Sequence, residues 1–194
     1  MDESKKSISE TILTTAFVCL STKGYANVSM RDIANEAGVA LSQLTYYYKN
    51  KEGLFREVIN MMMRQYLQEI EKKLVQAKGY REKIRSLIRF FKELIKDKPD
   101  LFRIFIDFTA QAQWHPVFKV QMDELFKKIA KLIENSILSD GDSSRDNGKM
   151  QEYSPESLSK LILGTLYGAS IQIMLAHGKQ DSFESLELAE SMLS

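Results

Sequence analysis

The sequence predicts an all-α protein: a small N-terminal head of three helices followed by a larger helical domain. Three observations carry this. Apolar residues recur three and four positions apart along most of the 194 residues, the spacing that lines one face of an α-helix. Only 3 prolines and 9 glycines interrupt the pattern, and alternating β-branched runs are absent. A hydrophobic content of 44% is enough to fill a sizeable core.

The first helix is expected from about Ser7 to Thr22, with Ile8, Ile12, Ala16 and Cys19 on one face. Gly24 ends it and Tyr25 packs back. Two short helical patterns follow on either side of Gly38. Asn50 can cap a long fourth helix that begins near Lys51 and is broken by Gly79. Its apolar residues, among them Leu54, Val58, Met62, Tyr66, Ile70 and Leu74, spread too widely for a single stripe. A fifth helix spans about Tyr80 to Lys96, with Ile84, Leu87, Ile88, Phe91 and Ile95 inward. Pro99 separates it from a sixth, Asp100 to Gln113. His115-Pro116 opens a seventh, with Phe118, Met122, Leu125, Ile129 and Leu132 as its inward stripe. Ser139 to Ser154 is polar and reads as a loop. The eighth helix, Pro155 to His177, is apolar all round from Leu161 to Ala176, so it needs cover on two sides. The ninth runs from about Ser182 to Leu193.

Residues Val28 to Phe55 carry the most specific pattern. Ser29 can cap a short helix whose inner side is Ile33, Ala34 and Ala37. Gly38 supplies a left-handed turn, Val39 plugs the angle, and Leu44 anchors the second short helix. That layout suits a helix-turn-helix, whose second helix is held out to enter the DNA major groove. The outward residues of the second helix are Leu41, Ser42, Gln43, Thr45, Tyr46 and Tyr47. Gln43 is the best base reader, because its amide can pair bidentately with adenine; Leu41 and Thr45 could meet thymine methyl groups. Tyr46 and Tyr47 offer hydroxyls to phosphates. Lys51, beside the free N–H groups that open the fourth helix, is expected to favour a phosphate, and Ser29 and Arg31 could hold the opposite strand.

The stretch Ile12 to Phe17, Lys23-Gly24-Tyr25, Ser29 to Ala34, Ala37-Gly38-Val39 and Tyr46 to Leu54 strongly resembles the tetracycline-repressor (TetR) family of bacterial transcriptional regulators. The likeness covers roughly the first 55 residues; beyond them the chain is similar only as a helical sequence of suitable length. Ala40, Ser42, Thr45 and Tyr48 depart from the serine, glycine, tyrosine and phenylalanine common in the family. The resemblance implies a DNA-binding domain over residues 1–50 and an effector-binding and dimerisation domain over 51–194. It also implies a homodimer formed by the eighth and ninth helices, set on a palindromic operator and released by a small molecule. In the eighth helix Gly164 and Gly168 lie one turn apart and permit close backbone approach; with Tyr167, Ile171 and Leu175 they form the expected dimer face. Met62, Tyr66, Phe91, Phe105, Phe108 and Trp114 are the candidate lining of an apolar effector pocket.

Other features read as structural. Asp107 falls outside the apolar arc of its helix, next to Arg103, and is expected at the surface. His115 and His177 adjoin helix breaks and suit terminal capping, with no second metal ligand at useful spacing. Cys19, the only cysteine, reads as a small buried hydrophobe and excludes an internal disulfide. No nucleophile, base and orienting group come together, no phosphate-cradling glycine loop is present, and no cofactor is implied, so an enzyme is not expected. A net charge of +1 makes any DNA affinity a matter of where cations sit. Met1 to Ser9 is polar and charged, unlike a secretory leader, and the run Leu161 to Ala176 is shorter than a membrane span of ~20 residues. A soluble cytoplasmic protein is expected. The competing expectation is a ligand-independent helical module that binds DNA or protein.

Overall fold

The structure is a computed structural model that describes residues 2–138, 152–176 and 183–193. Most of the loop expected between Ser139 and Ser154 lies outside those residues, as does His177. Among the described residues there is no strand. The helices are α1 (Asp2–Lys23), α2 (Met30–Glu36), α3 (Leu41–Tyr48), α4 (Lys51–Gln76), α5 (Gly79–Asp97), α6 (Pro99–Gln111), α7 (Pro116–Ile133), α8 (Pro155–Leu175) and α9 (Glu184–Leu193). A π-helical turn, Glu134–Leu138, extends α7.

The chain forms two compact units. One comprises residues 1–64 and 103–123, the other 65–102 and 124–194. In compactness, then, residues 51–64 of α4 and the segment 103–123 go with the N-terminal helices. The assignment of roles to residues 1–50 and 51–194 is a separate, functional matter.

In the first unit, α1 buries Ile12, Ala16, Cys19 and Leu20, which recur at helical spacing, and α2 packs on it through Ile33 and Ala34. Leu44 of α3, Leu54, Phe55 and Val58 of α4, and Phe108 and Phe118 complete this core. In the second unit the expected α5 stripe is buried: Ile84, Leu87, Ile88, Phe91 and Ile95, joined by Tyr80 and Leu94. The α7 stripe departs at its end. Ile133 is buried in place of Leu132, and Ile137 follows it four residues on, inside the π turn.

Helix α8 packs against α5 and α9, burying Leu158, Ile162, Leu163, Leu166 and Ile173. Among the described residues it is the one helix long and apolar enough, by length and composition, to cross a membrane. It is 21 residues long, and partial burial inside a helical unit is what a core helix also shows. Arg85 to Glu190 (2.9 Å) and Lys92 to Glu187 (3.2 Å) tie α5 to α9, each contributing little because the pairs are largely solvated.

Candidate nucleic-acid interface

Helix α2 begins at a complete capping box. The Ser29 hydroxyl accepts the Asp32 N–H (3.2 Å), and Asp32 accepts both the Ser29 N–H (2.9 Å) and the Ser29 hydroxyl (2.6 Å). Those Ser29 hydrogen bonds, side chain first and backbone second, hold the exposed Asp32 carboxyl below the usual carboxylate range. Both Ser29 donors are thus committed to the cap. Arg31 is exposed at the same helix start.

The turn between α2 and α3 runs through Gly38 at φ +66, closed by Val39 N–H to Ala34 O (3.0 Å). A Cβ on Gly38 would touch nothing, so the requirement for glycine there is conformational rather than spatial. Helix α3 starts at Ala40 without a side-chain cap, which the serine common in similar proteins could supply. Its residues separate by face. Leu44 and Tyr48 point in, Leu41, Ser42, Thr45 and Tyr46 are exposed, and Gln43 and Tyr47 flank them half-buried. Tyr46 is 74% exposed and meets the Tyr47 ring edge-on at 5.5 Å. The Thr45 hydroxyl donates to Leu41 O (2.8 Å), so its methyl is the part left to meet a base. Tyr48 is anchored to α1, donating to Ser9 O (3.0 Å) and lying 2.7 Å from the Ser9 hydroxyl; burial pushes its phenol up.

Asn50 caps α4 by accepting the Gly53 N–H (2.8 Å), as its position predicts. Lys51 behaves differently from expectation. Its ammonium donates to Tyr25 O and lies 4.3 Å from the centre of the Tyr25 ring, and burial pushes its pKa down. Lys51 is therefore turned inward in this conformation, not presented to a phosphate. The cause is the part-buried Tyr25 carbonyl just past the end of α1, which needs a donor.

Tyr25 is the hub beneath the helix-turn-helix. Its ring lies 5.4 Å from Phe55, 5.2 Å from Phe118, 5.5 Å from His115 and 6.1 Å from Phe108. Its N–H donates to Asp107 (2.7 Å), which also accepts from Gln111 (3.3 Å), and Arg103 donates to Ser21 O (3.2 Å). Asp107 is thus half-buried and engaged, which corrects its surface reading: the flank of α6 outside the apolar arc faces the end of α1. His115 does not cap with its side chain; its Nδ1 lies 3.2 Å from a Glu52 carboxylate oxygen. Gly53 carries a constraint that periodicity does not mark, since a Cβ there would lie 2.3 Å from Tyr48 O.

Residues 12–58 match the pattern of the bacterial regulatory proteins of the tetR family. Residues 12–58 therefore carry the N-terminal domain of that family. It is 30% identical over 90 residues to the HTH-type transcriptional regulator BetI of Agrobacterium fabrum, a stretch that is 46% of this chain and 44% of that protein. The chain spans less than half the length of the curated relatives it matches. Its fold is that of the fatty acid degradation regulator FadR from Bacillus halodurans, with a TM-score of 0.77 at 19% identity, covering 96% of this chain and 94% of that one. The transcriptional regulator FadR from Bacillus subtilis in complex with stearoyl-CoA gives 0.78 at 20% identity, covering 95% and 96%. The curated relatives it matches are transcriptional regulators.

The six candidate effector-lining residues divide between the two units. Met62, Phe105, Phe108 and Trp114 belong to the first unit, Tyr66 and Phe91 to the second. Trp114 is 82% exposed and lines nothing, because it stands in the turn between α6 and α7. Phe108 packs 5.1 Å from Phe118 in the cluster around Tyr25. Tyr66 and Phe91 flank Phe90, at 4.9 Å from Tyr66 and 5.7 Å from Phe91. Of the candidate dimer residues, Gly164 and Gly168 have open space where a Cβ would go, Leu175 is 76% exposed and Ile171 is half-buried. Tyr167 turns inward, with its ring 5.8 Å from Phe102 and 5.5 Å from Phe126, so it supports the open face from below.

Proposed function

We propose that this tetR-family protein is a sequence-specific DNA-binding repressor that acts as a homodimer on a palindromic operator. The observation that carries the reading is the division of α3: Leu44 and Tyr48 are buried, while Leu41, Ser42, Thr45 and Tyr46 stand outward with Gln43 and Tyr47 beside them. A helix held at its inner face and open along its outer one suits the major groove. Arg31 and the tyrosine hydroxyls supply the backbone contacts, and Gln43 reads a base. Dimerisation uses the open apolar side of α8 (Leu161, Gly164, Gly168 and Leu175) with Leu188 and Met192 of α9, all exposed in the single chain except the half-buried Gly168. A DNA partner implies a soluble cytoplasmic protein.

The effector is a small apolar or aromatic molecule held in the second unit near Tyr66, Phe90 and Phe91. That the similarly folded Bacillus subtilis FadR is in complex with stearoyl-CoA supports an apolar effector. Selection of bound sites from a random DNA pool tests the reading. The expected result is a palindrome with half-sites about one helical turn apart, bound with an affinity that falls steeply with salt. Recovery of no consensus would overturn it.

A further inference from the structure

We propose that Asp107 is a positioning residue for DNA recognition, one that sets the angle of the helix-turn-helix by gripping the backbone N–H of Tyr25. The inference rests on the DNA-binding reading above. Residue 25 is the first beyond the glycine that ends α1, at φ +73, and the chain from there to Ser29 leads directly into α2. Helix α3 in turn packs on α2. Whatever fixes Tyr25 therefore fixes where the recognition helix starts.

Three side chains from two helices converge there. Asp107 of α6 accepts the Tyr25 N–H at 2.7 Å. Lys51 of α4 takes the Tyr25 carbonyl from the other side and covers the ring. Arg103, one turn before Asp107 on α6, takes Ser21 O in the last turn of α1. One carboxylate and one ammonium thus hold the two polar groups of a single residue, and hydrogen bonds to charged groups are the stronger kind. The carboxylate lies against the turn that ends α1, since a Cβ on Gly24 would sit in ordinary contact, 3.5 Å from the Asp107 carboxylate oxygen. Gln111 occupies the other carboxylate oxygen and fixes its rotation.

The sign of one substitution separates this role from a bland one. A merely surface carboxylate repels DNA, so its removal by Asp107→Ala or Asp107→Asn would strengthen binding slightly. A positioning acceptor predicts otherwise. In the full-length protein, Asp107→Ala should lower the ratio of operator to nonspecific affinity by about tenfold, one hydrogen bond's share. The salt dependence should be unchanged, because no phosphate contact is lost. Asp107→Asn keeps an acceptor oxygen and should retain the ratio. If the alanine variant fails to fold, Asp107→Glu keeps the charge but carries the carboxylate past the Tyr25 N–H, and the same loss is expected. Amide exchange and chemical shifts read the clamp without DNA: Tyr25 should lose protection in Asp107→Ala, and the amides of Gln43, Tyr46 and Tyr47 should shift. Unmoved α3 amides, or an unchanged affinity ratio, would overturn the proposal. A wild-type protein that selects no DNA sequence would instead overturn the DNA-binding reading, with the amide measurements still deciding the clamp.

Discussion

Ser29 and Gly53 show how differently two residues of the head declare themselves. The serine precedes an apolar helical pattern with a carboxylate three residues on, so the cap is readable from local chemistry alone. Asp32 carries a depressed pKa in the folded state, so its contribution is full above the unfolded value of about 4 and is lost as pH falls through the folded value. Ser29→Ala should lower the melting temperature at neutral pH by a few degrees. The difference from wild type should shrink toward pH 3, and a gap constant down to that pH would remove the box as its cause. Gly53 is invisible locally, and helix propensity alone would favour alanine there by about 1 kcal/mol. The tight turn brings Tyr48 O to 2.3 Å from an added Cβ, which reverses the sign. Gly53→Ala should destabilise by about 1–3 kcal/mol in chemical denaturation, since backbone must shift. Asp107 and Lys51 were equally hidden, because their partners are backbone groups of a residue 82 and 26 positions away.

At the scale of elements, helices and their inward stripes follow from 3.6-residue periodicity, which is why α5 emerges close to its expected bounds and α2 and α3 lie on either side of Gly38. Outward faces are harder, because exposure does not say what binds there. For α3, Gln43→Ala should relax preference at one base by about 1–3 kcal/mol while leaving nonspecific affinity intact. Lys51→Ala should lower the ratio of operator to nonspecific affinity, as Asp107→Ala does, and lower the melting temperature, through loss of the donor to Tyr25 O. A salt slope reduced by about one unit in that variant would show instead that Lys51 swings out to a phosphate. For α8, the space above Gly164 and Gly168 is open in the single chain, so a side chain there is harmless to the protomer. Gly168→Phe should therefore leave the helical content intact but force paired backbones apart. Sedimentation should show a dimer weakened by about 1–3 kcal/mol. An unaltered dimer would exclude this face of α8.

For the whole molecule, ligand release is a statement about linkage between two binding equilibria rather than about any one pocket. The effector lining could not be read from aromatic content, because the same rings fill cores. Phe108 belongs to the Tyr25 cluster, and Trp114, at 82% exposed, faces solvent. Trp114 fluorescence should accordingly be quenched readily by iodide. It reports on the unit that carries the helix-turn-helix, and an effector near Tyr66 and Phe91 should leave it little changed. Screening is better done by thermal shift with lipophilic compounds, long-chain acyl derivatives among them. A ligand that abolishes repression by a hundredfold loss of operator affinity must bind the DNA-free state about 2.7 kcal/mol more tightly than the DNA-bound state. Reciprocity then requires operator DNA to weaken that ligand's own Kd by the same hundredfold. Calorimetric titrations with and without operator measure both factors. Tight binding whose Kd is indifferent to operator would show a ligand site uncoupled from DNA recognition, since equal affinity for two states shifts neither.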